Sequence, residues 1–266
     1  MTYKALLYEK TDRIGIVTIN RPEARNAWSD QLTRDMIDVF AEMENDPEVL
    51  AVILTGNQAG KAFSAGADIA NPRTHTVGSV GEYLAGVTPR GMAVFNAVAD
   101  LPKPVIVAIN GYALGIGCLI TLCGDILIAS DNAEIGLPQV ALGVLPAYGG
   151  AVRLARFVGK GKAMEMVLTS ERVNAQEAYR IGLVNKVVPL TELMPEAMKM
   201  ARKIASLPPL AVRLAKESLN KGLDIPNIKD AAQLDIYRFM ALMLTEDRNE
   251  GHRAWREKRQ PVFKGR

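Results

Sequence analysis

The sequence predicts a mixed α/β protein with a mostly parallel sheet and a helical C-terminal region. Short apolar runs such as residues 50–54 and 105–109 alternate with segments of helical periodicity, and from Gly161 onward the pattern is almost entirely helical. Strands that alternate with helices are usually joined by right-handed crossovers and pair in parallel. We therefore assign residues 1–190 to an α/β core and residues 191–266 to a helical C-terminal region.

The composition is that of a folded globular protein. Of the 266 residues, 48% are hydrophobic and 23% are charged, which provides enough apolar surface for a sizeable core and excludes wholesale disorder. The formal net charge of +3 is too small to indicate a nucleic-acid or membrane partner by itself. Evidence of function must therefore come from local sites.

The first predicted elements are a meander and a capped helix. Residues 3–8 and 15–20 are the expected strands, around a turn at Asp12 and Arg13. Ser29 is the expected N-cap of the helix that follows. The apolar residues of this helix recur at helical spacing: Leu32, Met36, Phe40 and Met43.

The rest of the chain continues the alternation of strands, loops and helices. Residues 104–124 carry no charge over a length that could span a bilayer. Asn110 and Gly111 are a turn signal, and Gly115 and Gly117 would weaken a continuous helix, so we predict a buried strand, a tight turn and a buried helix there. The other expected strands lie at 50–54, 125–129 and 183–188. Residues 60–70 are expected to form a Gly- and Ala-rich loop, and residues 71–101 an irregular segment followed by a helix. Residues 137–150 are expected to form a loop that leads into a helix beginning at Ala151.

The C-terminal end is more basic than the chain as a whole. Between Asp247 and Arg266, seven basic side chains stand against three acidic ones, a local net charge of +4. Such a tail suits an anionic partner, whether a phosphorylated cofactor, RNA or a neighbouring subunit, although charged faces of terminal helices are usually only solvated. We expect neither a nucleic-acid nor a membrane partner.

The cysteines and histidines do not form a metal-binding pattern. Cys118 and Cys123 lie in one apolar stretch, far in sequence from His75 and His252. This spacing matches no common metal site, so we predict two buried core thiols and no metal. The sequence also shows no disulfide framework and no secretory signal, so we expect a reducing compartment, the cytoplasm.

Three loops are rich in small residues at places where the backbone could approach a ligand. They are residues 63–68, 110–117 and 146–150. Each follows an apolar strand or precedes a helix, so its main-chain N–H groups could bind an anion or an oxyanion. None of the three matches a phosphate-binding P-loop or a dinucleotide-binding turn.

In order and context, these loops resemble the crotonase (enoyl-CoA hydratase/isomerase) superfamily over nearly the whole chain. Residues 20–27 (NRPEARNA) resemble the first coenzyme A loop of that family, and residues 62–69 (AFSAGADI) resemble its first oxyanion segment. Residues 103–117 resemble the second oxyanion segment, and residues 250–263 the terminal helix.

The resemblance implies a fold, an assembly and a substrate class. The implied fold is a spiral of ββα units with a helical C-terminal trimerisation region, and the implied assembly is a homo-hexamer built as a dimer of trimers. The implied activity is that of a hydratase or isomerase acting on an acyl-CoA thioester through an enolate. No separate cofactor is implied, because coenzyme A is part of the substrate.

The resemblance also assigns site residues by matching position. The backbone N–H groups of Ala67 and Ile116 would bind the thioester oxygen, and Gln139 would position a water or a substrate carbonyl. Phe263 and Lys264 would reach the adenine end of coenzyme A from a neighbouring subunit. The full set of implied substrate-binding residues is Glu23, Ala24, Arg25, Ala65, Gly66, Asp68, Ile69, Leu119, Pro138, Tyr148, Phe263 and Lys264.

Two departures from the family pattern concern proton transfer and the acyl pocket. In the hydratases of the family two glutamates flank the substrate, and here those positions hold Leu119 and Gln139. Leucine carries no proton, and an amide cannot act as a base near neutral pH. Ile116 replaces a common glycine, and its branched side chain should reshape the acyl pocket. We therefore expect slow ordinary water addition and an unusual acyl group.

Several functions stay open at this point. The enzyme could be a hydratase, a decarboxylase or a thioester hydrolase, and a catalytically weak CoA- or RNA-binding homologue is the alternative of another class. RNA binding that depends on salt and survives saturating coenzyme A would favour that alternative.

Asp68 is expected to cap the backbone rather than act as a base. The side chains that could replace the glutamates, each more simply interpreted as an ordinary surface or core residue, are His75, Glu82, Tyr83, Tyr112 and Tyr148.

Overall fold

The structure is a computed structural model, and it describes residues 3–69, 80–82 and 88–266. The strands are β1 (Leu6–Thr11), β2 (Ile14–Ile19), β3 (Ala51–Gly56), β4 (Ala62–Ser64), β5 (Val105–Ile109), β6 (Tyr112–Leu114), β7 (Ile126–Ser130), β8 (Glu134–Gly136), β9 (Arg172–Asn174) and β10 (Lys186–Val188). The helices, apart from single turns such as Val80–Glu82, are α1 (Asp30–Asn45), α2 (Thr88–Ala99), α3 (Ile116–Thr121), α4 (Gly150–Thr169), α5 (Ala175–Arg180), α6 (Leu193–Ala205), α7 (Pro209–Gly222), α8 (Ile228–Met243) and α9 (Glu246–Glu257).

The larger of the two described sheets confirms the predicted parallel pairing and the turn at Asp12 and Arg13, but its first strand lies three residues later than predicted. Its strand order is β1-β2-β3-β5-β7-β10. β1 and β2 are antiparallel, and every other neighbouring pair is parallel. Asp12 and Arg13 join β1 to β2 with φ values of 51° and 64°. Two consecutive positive φ angles are typical of the tight turns that two-residue hairpins favour. Ser29 caps α1 as predicted, because its hydroxyl accepts the N–H of Leu32.

The larger sheet is covered on both faces, which explains its wholly apolar strands. Val52 and Leu54 of β3 belong to the main core together with residues of α1 and α2. Ala51 and Ile53 point to the opposite face and pack with α6. Successive side chains of a strand point to opposite faces, so a strand buried on both faces shows no polar alternation.

The smaller sheet corrects three of the expectations above. Its order is β4-β6-β8-β9. The expected loop at 60–70 contains β4, the expected turn after residues 105–109 contains β6, and the mostly helical region after Gly161 contains β9. Each of these strands has three residues. Such strands are too short for an alternating pattern to appear in the sequence.

The two sheets together confirm the predicted spiral of ββα units. A strand of the larger sheet, a short strand of the smaller sheet and a helix follow one another three times, as β3-β4-α2, β5-β6-α3 and β7-β8-α4. The uncharged residues 104–124 are divided among β5, β6 and α3 in this repeat. Over the described ranges, no helix is long and apolar enough to cross a membrane.

The C-terminal helices differ in burial: α6 packs against the core, whereas α7 and α8 expose large apolar side chains. Leu193, Ala197 and Ala201 of α6 are buried against the larger sheet, so this helix packs as part of the core, and the boundary at residue 190 stays a prediction. The expected trimerisation also stays a prediction. Large apolar side chains are exposed on or beside α7 and α8, namely Leu219, Leu223, Ile228 and Phe239.

An ion pair joins α7 to the larger sheet. The Lys216 ammonium donates to the Asp125 carboxylate at 2.6 Å and to the carbonyl of Lys103 at 3.1 Å. Burial raises the pKa of Asp125, and the nearby Lys216 opposes that rise. We expect Lys216→Met to lower the free energy of unfolding by about 1–3 kcal/mol, because it leaves a largely buried carboxylate without its charged partner. Urea unfolding tests this, with the exposed Lys199→Met as control; equal midpoints for the two variants would contradict it.

Candidate active site

The N–H group of Ala67 is directed away from Trp28, the residue that follows the first predicted coenzyme A loop. The N–H of Trp28 donates to the carbonyl of Gly66 at 2.7 Å, and the N–H of Asp68 donates to the carbonyl of Trp28 at 3.1 Å. In this parallel bridge the N–H of the intervening residue points to the opposite side. Ala67 is exposed, and its role as a donor to the thioester stays a prediction.

Ile116 provides a second N–H group because it is the first residue of α3. Gly115 stands at the N-cap with φ 53° and ψ −116°. The first N–H groups of a helix have no acceptor within the helix, and the carbonyl of Gly115 accepts the N–H of Leu119. The N–H of Ile116 is thus oriented towards the space in front of the helix.

Glycines allow these two donor segments to approach each other. A Cβ on Gly66 would lie 2.9 Å from the carbonyl oxygen of Leu114 and 3.8 Å from the Cα of Gly115. A Cβ on Gly117 would lie 2.4 Å from the carbonyl oxygen of Ser64. Gly66 has a φ of +100° as well, a conformation that favours glycine. The small residues of the first two loops therefore bring Ala67 and Ile116 to the same site.

The structure brings both positions where the family's glutamates are replaced, Leu119 and Gln139, to this site. Leu119 is buried on α3, and a Cβ on Gly150 would lie 2.8 Å from its side chain. The amide nitrogen of Gln139 lies 3.7 Å from the position that a Cβ of Gly115 would take. The Oε1 atom of Gln139 is buried and accepts no hydrogen bond from the described residues. A buried amide oxygen gains free energy when a donor is supplied, so Gln139 is suited to hold a ligand group.

Asp68 is held by an arginine that the sequence analysis did not single out. The Arg21 guanidinium donates to the Asp68 carboxylate at 2.8 Å and to the carbonyl of Ala27 at 2.6 Å. Both side chains are largely buried. This ion pair ties the residue after Ala67 to the first loop. The expectation that Asp68 caps the backbone rather than acts as a base stays a prediction.

The first coenzyme A loop is joined to the first oxyanion segment, whose residues 65–69 are also predicted to line the coenzyme A site. Glu23 and Ala24 lie in a helical turn that ends at Arg25, whose carbonyl accepts the N–H of Ala65 at 3.1 Å. Ile69, the last residue of the first oxyanion segment, is exposed. Beside the first loop lies a cleft of about 410 Å³. Three of its lining residues, Ala59, Gly60 and Lys61, were not among the predicted site residues. The full lining consists of Pro22, Glu23, Arg25, Ala59, Gly60, Lys61 and Tyr112.

The remaining predicted residues are placed in two regions. Pro138 precedes Gln139 and is half-buried. Tyr148 stacks on Phe95 of α2, with ring centroids 5.3 Å apart. Phe263 lies against α9 of its own chain, and the N–H of Lys264 donates to the buried Asp247 carboxylate at 2.7 Å. A role for these two residues at a neighbouring subunit stays a prediction.

Three candidate proton carriers cannot be placed. His75 and Tyr83 lie outside the described residues, as does the side chain of Glu82. Cys118 and Cys123 are buried, as predicted, and burial raises their pKa values to about 12 and about 11. Thiols with such pKa values are inert near neutral pH. Among the residues that the structure covers, no group of three or more His, Cys, Asp and Glu side chains could hold a metal ion.

Comparison with known proteins identifies the family. The family model for enoyl-CoA hydratase/isomerase matches residues 9–266. The short-chain-enoyl-CoA hydratase of Clostridium acetobutylicum is 44% identical over 260 residues, which are 97% of each chain. The crotonyl-CoA hydratase of Syntrophomonas wolfei is 40% identical over 263 residues, which are 99% of each chain. The crystal structure of the Bacillus anthracis enoyl-CoA hydratase matches with a TM-score of 0.91 at 35% identity, covering 99% of this chain and 100% of that one. This chain therefore belongs to the enoyl-CoA hydratase/isomerase family, as its loops indicate.

Proposed function

We propose that this enzyme binds an acyl-CoA thioester and polarises its carbonyl through the N–H groups of Ala67 and Ile116. The observation that carries the proposal is the close backbone contact between Gly66 and Gly115, the residues that immediately precede Ala67 and Ile116. A thioester oxygen placed between them would accept two hydrogen bonds. The resulting stabilisation of an enolate is worth about 10²- to 10³-fold in rate for each donor.

The acyl group is proposed to differ from that of a simple enoyl thioester. Water addition needs a base for the water and an acid for the carbon that becomes protonated. Leu119 supplies neither, and the amide of Gln139 orients a group without taking its proton. The substrate would then carry its own proton-transferring group, or another side chain of this protein would supply one. The related hydratases support the substrate class, acyl-CoA, rather than the particular acyl group.

Decarboxylation is a second candidate, and the apolar Leu119 favours it. When a carboxylate on the α-carbon leaves as CO₂, the electron pair of the broken C–C bond forms the enolate directly. No base is required for that step, and a proton from solvent completes it. Two N–H donors and an apolar wall are sufficient to stabilise such an enolate.

The test is a panel of acyl-CoA thioesters, with binding followed by calorimetry and products by mass spectrometry. The panel includes enoyl, 3-hydroxyacyl, 3-oxoacyl and α-carboxylated acyl groups, so that hydration, hydrolysis and decarboxylation are tested together. We expect acetoacetyl-CoA to bind and at least one member to be converted. Absence of binding at about 1 mM ligand, a weak affinity for any enzyme, would refute the proposal.

Gln139 is expected to position a water or a substrate carbonyl. With a converted substrate in hand, Gln139→Ala should lower turnover by about ten- to hundredfold, because it removes a hydrogen bond to a buried polar group. An amide does not titrate over roughly pH 5 to 9, so no limb of the pH profile should depend on this residue. The exposed Gln233→Ala serves as the control. Unchanged kcat and KM in a folded Gln139→Ala protein, or the loss of a pH limb in it, would contradict this role.

A further inference from the structure

We infer that Arg21 is a positioning residue: acting through Asp68, it holds the N–H group of Ala67 in the direction needed to bind a thioester carbonyl. The inference rests on the proposed function, which makes this N–H group one of the two donors. Neither the loop resemblance nor the related hydratases assign Arg21 to the site. Recognition of the carbonyl would then depend on a side chain outside the two donor residues.

The direction of the Ala67 N–H group is set by the carbonyl of the residue before it. A trans peptide is planar, so its N–H points opposite to its C=O. The carbonyl of Gly66 accepts the N–H of Trp28 at 2.7 Å, and the N–H of Asp68 donates to the carbonyl of Trp28 at 3.1 Å. Trp28 and Ala67 form an isolated bridge outside the named strands. An isolated bridge has no ladder to fix its geometry, so the side chains beside it decide how firmly it is held.

The Arg21 guanidinium contacts both sides of this bridge. Its Nη1 donates to the carbonyl of Ala27 at 2.6 Å, and its Nη2 donates to the Asp68 carboxylate at 2.8 Å. Ala27 immediately precedes Trp28, and Asp68 immediately follows Ala67. One planar cation with fixed donor directions therefore connects the two backbone segments beside the donor. Turning the peptide that carries the Ala67 N–H would displace Asp68 and stretch the ion pair.

The backbone of Arg21 is itself fixed by a buried amide. Its N–H donates to Oδ1 of Asn26 at 3.1 Å. Asn26 is fully buried, and its Nδ2 donates to the carbonyls of Asn57 at 3.0 Å and Ala62 at 2.7 Å. Asn57 follows β3, and Ala62 begins β4. The arginine is thus anchored to the rigid strands that lead into the first oxyanion segment.

The ion pair is sheltered from solvent. The exposed fractions of the Arg21 and Asp68 side chains are 18% and 7%. Exposed ion pairs contribute little because water and salt screen them. A largely buried carboxylate whose cation is removed is strongly disfavoured where it stands. Asp68 should therefore move when Arg21 loses its charge, and the peptide of Ala67 should move with it.

The experiment compares two ligands that differ only at the carbonyl. Butyryl-CoA is a thioester, and S-butyl-CoA is the thioether of the same length without the carbonyl oxygen. Both are titrated by calorimetry into the wild-type protein, Arg21→Met, Asp68→Asn and Arg21→Lys, and mass spectrometry verifies that the thioester stays intact. Lys216→Met is the control for loss of a similarly buried ion pair elsewhere, since its partner Asp125 accepts the N–H of Val105 at the start of β5. Thermal unfolding verifies that each variant is folded.

The wild type should bind butyryl-CoA at least about tenfold more tightly than S-butyl-CoA, because two N–H groups would bind the carbonyl oxygen. Arg21→Met and Asp68→Asn should each reduce this ratio to about threefold or less. Arg21→Lys keeps the cation and should stay within about twofold of the wild-type ratio, as should Lys216→Met. The affinity for S-butyl-CoA should change by less than about twofold in every variant, because this ligand has no carbonyl to position.

The wild-type ratio in a folded Arg21→Met or Asp68→Asn protein would overturn the inference. An equal loss of affinity for both ligands would also overturn it, because Arg21 would then support the coenzyme A loop as a whole. If Arg21→Met does not fold, Asp68→Asn decides, since it keeps the size of the side chain. Equal affinity of the wild type for the two ligands would instead refute the proposed function itself.

Discussion

Crotonyl-CoA should be hydrated at least roughly 10⁴-fold more slowly by this enzyme than by a family member that has both glutamates. Each general acid or base contributes about 10²- to 10⁴-fold, and both positions here, Leu119 and Gln139, hold side chains that transfer no proton. Even at the lower end of this range, the loss of both groups slows the reaction about 10⁴-fold, which corresponds to about 5 kcal/mol of activation free energy. The measurement is kcat/KM for crotonyl-CoA under identical conditions. A value comparable with that of an efficient hydratase would show that other groups of this chain do the work.

The same prediction has a gain-of-function form. Leu119→Glu combined with Gln139→Glu should raise crotonyl-CoA hydration by at least about 100-fold, because it restores two proton carriers at the matching positions. Gln139→Glu alone is the control, since one carboxylate cannot complete both transfers. Leu119 is buried against Gly150, so an added carboxylate there would also destabilise the fold. Thermal unfolding of the double variant must therefore accompany the rate. A folded double variant with no gain in rate would contradict the assignment of these positions.

Gly117→Ala should lower turnover of the identified substrate by about 10²- to 10³-fold, the range found for loss of one oxyanion donor. The new methyl group would lie 2.4 Å from the carbonyl oxygen of Ser64, and backbone atoms of β4 cannot rotate away. Helix α3 must shift, and the N–H of Ile116 at its first residue shifts with it.

The matched control for this substitution is Gly161→Ala in α4. Outside its own helix, no atom of the residues that the structure describes lies within 4 Å of a Cβ added to this glycine, so alanine there should leave turnover unchanged and favour the helix slightly. Equal turnover of Gly117→Ala, Gly161→Ala and the wild type would show that the contact between α3 and β4 does not position the donor. The thermal midpoint of each variant separates a local shift from unfolding.

The parts of the fold that the sequence predicts are those with repeated local signals. The apolar runs of β3 and β5 and the cap at Ser29 are readable because several neighbouring residues agree. The smaller sheet is not readable, since a three-residue strand such as β6 takes its conformation from its neighbours in space. The ion pair between Lys216 and Asp125 is missed for a related reason, because its partners are 91 residues apart.

The residues of the candidate site fall into the same two groups, those that local sequence signals predict and those that only the folded chain reveals. Ala67 and Ile116 are found because small residues and a family resemblance mark their loops. The arginine that holds Asp68 is not found, although Arg21 lies within the resembling loop, because only the folded chain shows which carboxylate it meets 47 residues away. The left-handed backbone of Tyr148 is likewise invisible in the sequence, since a bulky aromatic residue is a poor candidate for that conformation.

The most direct test of the site is the infrared carbonyl stretch of a bound thioester labelled with ¹³C at the carbonyl. Two N–H donors should weaken the C=O bond and move the band to lower frequency on binding. Ile116→Pro removes one donor at the first position of α3, where proline is tolerated, and Ile116→Val keeps it. We predict the full shift in the wild type and in Ile116→Val, and a clearly smaller shift in Ile116→Pro. A bound thioester whose band stays at its solution frequency in the wild type, or shifts equally in all three proteins, would contradict the account.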